Sequence, residues 1–223
     1  MMAAYKLLSK PMKINEGVCC LVIENKDLFR KTWADLFSGN GAEWFVVSEN
    51  YEPFVFEKAV AVFENILDLN SFDKKLMTKT YPKLEQTAND LFYEELAEIR
   101  RCLIELGDKI SFEYDFDYSF NDDIGTMDIL KLMSFKIRKD ADNDMDNIVL
   151  YMKLLKKYMG IKLFITSNLW LYFTSDKCEE FNKTLLSAGI SVLDIENIMP
   201  DDNKRQNVYI IDADLCEIVD NSL

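Results

Sequence analysis

Residues 110–118 read Ile-Ser-Phe-Glu-Tyr-Asp-Phe-Asp-Tyr, with ring and acid alternating from Phe112 onward. Extended, this segment puts Glu113, Asp115 and Asp117 on one face of a strand and the rings on the other. Three carboxylates on one face repel one another. A hard cation such as Ca²⁺ or Mg²⁺ relieves that repulsion by taking their oxygens as ligands. The same alternation also describes a half-buried strand whose acids face water, and spacing alone leaves both readings open.

A second acid run, Asp140, Asp142, Asp144 and Asp146, invites a calcium-loop reading and fails it. Counted from Asp140, the sixth and twelfth positions are Met145 and Tyr151; counted from Asp142, they are Asn147 and Lys153. The loop needs Gly and Glu there, so these acids are expected at a solvated helix start. The phosphate-cradling GxxxxGK[ST] loop is missing as well. Residues 38–43 read Ser-Gly-Asn-Gly-Ala-Glu, so ATP hydrolysis is not expected. Histidine is absent, which removes His-based triads, imidazole zinc sites and the commonest general base. The five cysteines contain no CxxC pair, which removes Cys-rich zinc sites.

Basic residues gather in two places. Lys74, Lys75, Lys79 and Lys83 lie in a stretch without an acid. Lys153, Lys156, Lys157 and Lys162 do likewise, preceded by Lys131, Lys136, Arg138 and Lys139. Singly these are solvated side chains or complements to a helix dipole. Pointed at a shared axis by several copies of the chain, they would grip a phosphate backbone. A net charge of −13 argues against coating nucleic acid with the whole surface, and leaves room for one local basic patch.

The elements that must position these residues follow from periodicity. With 223 residues, 49% of them hydrophobic, the chain can bury a sizeable core. Strands are expected at 18–23, 43–48, 59–63, 161–165, 190–193 and 208–211, and a brief extended stretch at 135–137. Helices are expected at 26–37, 71–80, 86–106, 126–133, 142–159 and 175–188. Pro82 is read as opening a new segment, and Gly107 as stopping the strongest helix before the acid strand. Strands alternating with helices at both ends imply an α/β layer with a mainly parallel sheet. Residues 1–70 and 135–223 form this discontinuous head, and 71–134 a mostly helical insertion. No apolar run approaches the ~18 residues that span a bilayer, and no secretory signal is read at the N-terminus. The scattered cysteines are accordingly expected as reduced thiols in a cytoplasmic protein.

The order of these features resembles the type II-A CRISPR spacer-acquisition family, Csn-two. The resemblance is carried by Glu113-Tyr114-Asp115, the helix Asp128 to Met133, and Phe135-Lys136-Ile137. Downstream it continues through Leu154-Leu155-Lys156-Lys157-Tyr158, Lys162 to Asn168, Ser191 to Asp194 and Asn207 to Ile211. Upstream, Glu16-Gly17 and an apolar strand ending in Glu24 also fit, so nearly the whole chain is covered. The resemblance implies a head like a nucleoside-triphosphatase core without its phosphate loop, carrying a helical leg. It implies a homotetrameric ring, without catalysis, that encircles double-stranded DNA ends without sequence specificity. It also implies work in spacer acquisition with the CRISPR integrase and effector nuclease. Calcium near the head–leg junction would hold the ring, with Glu113, Asp115 and Asp128 as ligands and Asp117 as a further one. The connection 118–126 is longer than the family pattern, which brings in Asp122 or Asp123 as substitutes for Asp128. The DNA-facing residues would be Lys74, Lys75, Lys131, Lys136, Arg138, Lys139, Lys153, Lys156 and Lys157.

Two other classes compete. In a metal-dependent nuclease the same carboxylates would hold two Mg²⁺ ions, but there is no histidine base and Lys109 is the lysine near the acids. An acidic adaptor would bind proteins alone, through the acid-rich residues from Asp194 to Asp220, with its lysines serving as dipole complements.

Overall fold

A computed structural model describes residues 1–67, 70–114, 119–138, 144–199 and 207–218, excepting the side chains of 70–73. The chain divides into two compact units, Met1–Ser71 with Lys139–Leu223, and Phe72–Arg138.

The first unit is built on strands β1 (Met2–Tyr5), β2 (Met12–Lys13), β3 (Gly17–Ile23), β4 (Phe45–Glu49), β5 (Glu52–Pro53), β6 (Val60–Val62), β7 (Leu163–Ser167), β8 (Ser191–Glu196), β9 (Val208–Ile211) and β10 (Glu217–Ile218). Six of them form the main sheet, in the order β10-β9-β3-β8-β7-β6. All its pairings are parallel except the hairpin of β9 with β10. The central strands are apolar on both faces, as a sheet covered on both sides requires. Leu21, Leu193 and Ile165 pack into a core with Tyr5, Phe45 and Leu36. Those three residues come from β1, β4 and α1 (Lys26–Phe37).

The remaining strands make a small antiparallel sheet, β2-β1-β4-β5, formed by short strands that carry little signal of their own. A short helix, α2 (Phe56–Ala59), leads into β6, and α6 (Asp144–Met159) and α7 (Ser175–Ser187) complete the unit. Gly17 opens β3 at φ +89°, and a Cβ there would lie 2.5 Å from Asn182 Oδ1 of α7. Close approach and a positive φ both demand glycine at that turn.

The second unit consists of α3 (Asn70–Leu91), continuous with the first unit over its first two residues, α4 (Tyr93–Phe112) and α5 (Thr126–Met133). Four expectations are corrected here. Pro82 sits inside α3 instead of opening a segment. It takes one N–H out of the ladder at a point where Thr78 and Pro82 are exposed, so the missing bond falls on the solvent-facing side of α3. The helix expected at 86–106 is divided at Phe92 between α3 and α4. Gly107 does not stop α4: the helix runs five residues further, to Phe112, so Ile110, Ser111 and Phe112 are helical, not extended. Gly107 is needed for packing, since a Cβ there would meet the Phe120 ring at 2.6 Å. Residues 135–138 form neither helix nor strand.

Candidate functional site

Of the four expected metal ligands, two lie among the described residues. Glu113 closes α4 in helical conformation, its N–H donating to Ile110 O at 3.2 Å, with the side chain exposed. Asp128 stands in the first turn of α5, also exposed, and its Oδ2 accepts from Gly125 N at 3.2 Å. Half of that carboxylate is therefore engaged in capping α5, the ordinary use of an acid at a helix N-terminus. Asp115 and Asp117 lie outside the described residues, as do Asp140, Asp142 and Lys139. Asp122 and Asp123 are exposed in the loop before α5, where Asn121 Oδ1 accepts from Asp123 N at 3.1 Å. Exposed carboxylates are the right donor chemistry for Ca²⁺. Among the described residues, however, no three acids, cysteines or histidines cluster closely enough to hold an ion.

The loop before α5 is held by residues that motif reading passed over. Arg100 Nε donates to Ile124 O at 2.9 Å, and Nη2 donates to Thr126 Oγ1 at 2.6 Å. Thr126 in turn donates to Asn89 Oδ1 at 2.7 Å. One guanidinium thus ties α4 and α3 to the start of α5 and sets where Asp128 projects. A signal for it existed. Arg100 falls on the inward stripe of α4 with Leu96, Leu103 and Gly107, and a cation among apolar positions needs partners.

The expected DNA-facing residues fall in both units. Lys74 and Lys75 are exposed on α3, and Lys75, Lys79 and Lys83 recur every fourth residue along one stripe of it. Lys131 is exposed in the last turn of α5, followed by exposed Lys136 and Arg138. On α6 the buried side is Ile148, Tyr151, Met152 and Leu155, so Lys153, Lys156 and Lys157 share the opposite, solvent-facing stripe. Lys156 Nζ donates to Gly189 O at the end of α7, and Lys157 Nζ lies 5.3 Å from the centre of the Tyr158 ring. Lys153 and Lys157 are the pair on that stripe whose ammonium groups keep their reach toward an outside phosphate.

At the carboxyl edge of the main sheet, where α/β folds place ligands, β3 turns into α1 across Glu24–Asn25. Asn25 Oδ1 accepts from Leu28 N at 3.0 Å, so the first-turn amide is capped from within the chain. Beside it, buried Asp194 accepts from Thr166 Oγ1 at 3.0 Å and from Leu169 N at 3.3 Å, fixing the turn after β7.

The profile of the family described as CRISPR-associated protein (Cas_Csn2) matches residues 37–215, from the end of α1 into the β9–β10 hairpin. The chain belongs to this family. Membership carries a role in CRISPR adaptation, and the family is not one known for catalysis. No curated protein matches the chain. In this Csn2-family protein the helical unit Phe72–Arg138 lies wholly inside the matched range, whereas the α/β unit is matched only from residue 37 to 71 and from 139 to 215. No helix of the described residues is long and apolar enough to cross a membrane.

Proposed function

We propose that this Csn2-family protein is a calcium-dependent, non-enzymatic ring of four copies that encloses the ends of double-stranded DNA during spacer acquisition. The observation that carries the reading is the family match over 37–215. The exposed lysine stripes of α3 and α6 support it, because a backbone grip needs positive potential and no base-reading element. Glu113 and Asp128, joined by Asp115 and Asp117, would hold the ion. Bound there, Ca²⁺ supplies charge compensation that lets the acid segment after α4 and the start of α5 approach each other. Arg100 presets one side of that approach by anchoring the loop that carries Asp128. The head is read as a nucleoside-triphosphatase-like core that has given up its nucleotide: the Glu24–Asn25 turn has no glycine-rich loop, and Asn25 caps the helix itself. Its partners would be the integrase and effector nuclease of the CRISPR system, in the cytoplasm.

The test is a gel shift with one duplex in linear and in covalently closed circular form, with calcium and then with a chelator. Binding to the linear form alone, abolished by the chelator, is the expected result. Equal binding to both forms would refute threading, and binding to neither would leave an acidic protein adaptor. Cleavage of the linear duplex in Mg²⁺ or Mn²⁺ would make the protein a nuclease.

A further inference from the structure

We propose that α4 pairs antiparallel with α4 of a second copy of this chain, across a two-fold axis at Cys102. The starting observation is a ridge on α4 that its own unit leaves uncovered. Glu95, Ile99, Cys102, Leu106 and Lys109 recur at steps of three and four, so they form one stripe of the helix, with Phe92 at the break just before it. Phe92, Ile99 and Leu106 are 49%, 41% and 53% exposed, and Cys102, Glu95 and Lys109 are exposed with them. The neighbouring stripe faces inward: Leu96 is buried, Arg100 is bound to Ile124 and Thr126, and Gly107 lies under Phe120.

What selects the occupant is that the ridge reads as its own complement when reversed. Glu95 stands seven residues before Cys102 and Lys109 seven after; Ile99 stands three before and Leu106 four after. Laid antiparallel on a copy of itself, the ridge puts Glu95 opposite the partner's Lys109, and Lys109 opposite the partner's Glu95. Ile99 then packs on the partner's Leu106, and the small Cys102 side chains meet at the axis. A parallel pair would instead set Glu95 on Glu95 and Lys109 on Lys109, which is repulsive, and would align rather than oppose the helix dipoles. The helix's own ion pairs, Arg101 with Glu98 and with Glu105, run along a different stripe and do not compete. The result is an isologous contact, the commonest kind by which copies of one chain associate. It deepens the ring reading and rests on it for the larger assembly, since a two-fold pair is one contact from which a four-copy ring closes.

The full chain carrying Cys216→Ser, which removes the other exposed thiol among the described residues, is treated with a short bismaleimide. In parallel, light scattering over a concentration series measures mass for the wild type, Glu95→Lys, Lys109→Glu and the double reversal. A covalent dimer that disappears with Cys102→Ser is expected. Glu95→Lys should weaken association roughly tenfold, because two symmetry-related attractions become repulsions, and the double reversal should restore it. A tetramer that yields no cross-linked dimer and ignores Glu95→Lys overturns the α4 pairing while leaving the ring intact. A monomer at every concentration, with calcium present, overturns both.

Discussion

Replacing Arg100 by alanine removes two charge-assisted hydrogen bonds at once, those to Ile124 O at 2.9 Å and Thr126 Oγ1 at 2.6 Å. Such bonds are each worth about 1.5–3 kcal/mol when buried. Arg100 is partly exposed, so water recovers some of the loss, and about 2–3 kcal/mol in total is expected. Its neighbour Arg101 is the internal control. It pairs with Glu98 and Glu105 through side chains at least half exposed, and such pairs contribute less than about 1 kcal/mol. Urea denaturation of Arg100→Ala and Arg101→Ala, followed by circular dichroism, should therefore separate two adjacent arginines by at least about 1 kcal/mol. Hydrogen exchange should localise the difference, with protection falling over 124–133 in Arg100→Ala and unchanged there in Arg101→Ala. Arg100→Lys should recover only part of the loss, because a lysine has no fork to bridge a carbonyl and a hydroxyl. Equal losses for Arg100→Ala and Arg101→Ala, or unchanged exchange over 124–133 in both, would refute the anchoring argument.

Three further outcomes are expected. Burial pushes the Tyr5 phenol from 10.0 up to about 12, against its hydrogen bond with Thr32, and the Cys19 thiol from 9.0 up to about 12, against a backbone bond from Cys20. The unfolded chain gives up these protons first, so stability present below about pH 9 should decline as pH rises toward 12. Denaturation midpoints across that range should fall less steeply for Cys19→Ala. Substituting Lys153 and Lys157 by alanine should weaken DNA binding for all sequences alike and lower the slope of log affinity against log salt by about 0.9 for each substituted lysine that meets a phosphate, summed over the copies in the ring; an unchanged slope takes these lysines off the DNA path. Asp194→Ala strips the acceptor from Thr166 Oγ1 and Leu169 N in a fully buried setting and should cost about 2–4 kcal/mol, read by thermal melting; a loss below about 1 kcal/mol would mean the turn after β7 holds without it.

Where burial and periodicity act locally, the sequence was enough. The helix expected at 26–37 is α1 residue for residue, the strand at 208–211 is β9, and α5 ends at the expected Met133. The apolar run Leu163-Phe164-Ile165, in the strand expected at 161–165 and observed at Leu163–Ser167, declares a strand buried on both faces, and that in turn implies the parallel sheet. The missing histidines and phosphate loop restrict the chemistry in the same direct way. The order of class patterns also carried the family, which the profile match over 37–215 bears out.

What required the tertiary structure is whatever depends on a partner distant in sequence. Gly107 looks like a helix stop because glycine usually ends helices, but Phe120, thirteen residues on, makes it a point of close packing that the helix runs through. Ile110 to Phe112 alternate well enough for a strand, but they are the last turn of a helix already nucleated and packed, and extending it adds one hydrogen bond per residue fixed. The small antiparallel sheet is held by register between β1 and β4, some forty residues apart, which no local window contains. Arg100 and Arg101 are indistinguishable as letters. A turn of 100° about the helix axis puts one over Ile124 and Thr126 and the other in water, and only the packing of the three helices says which.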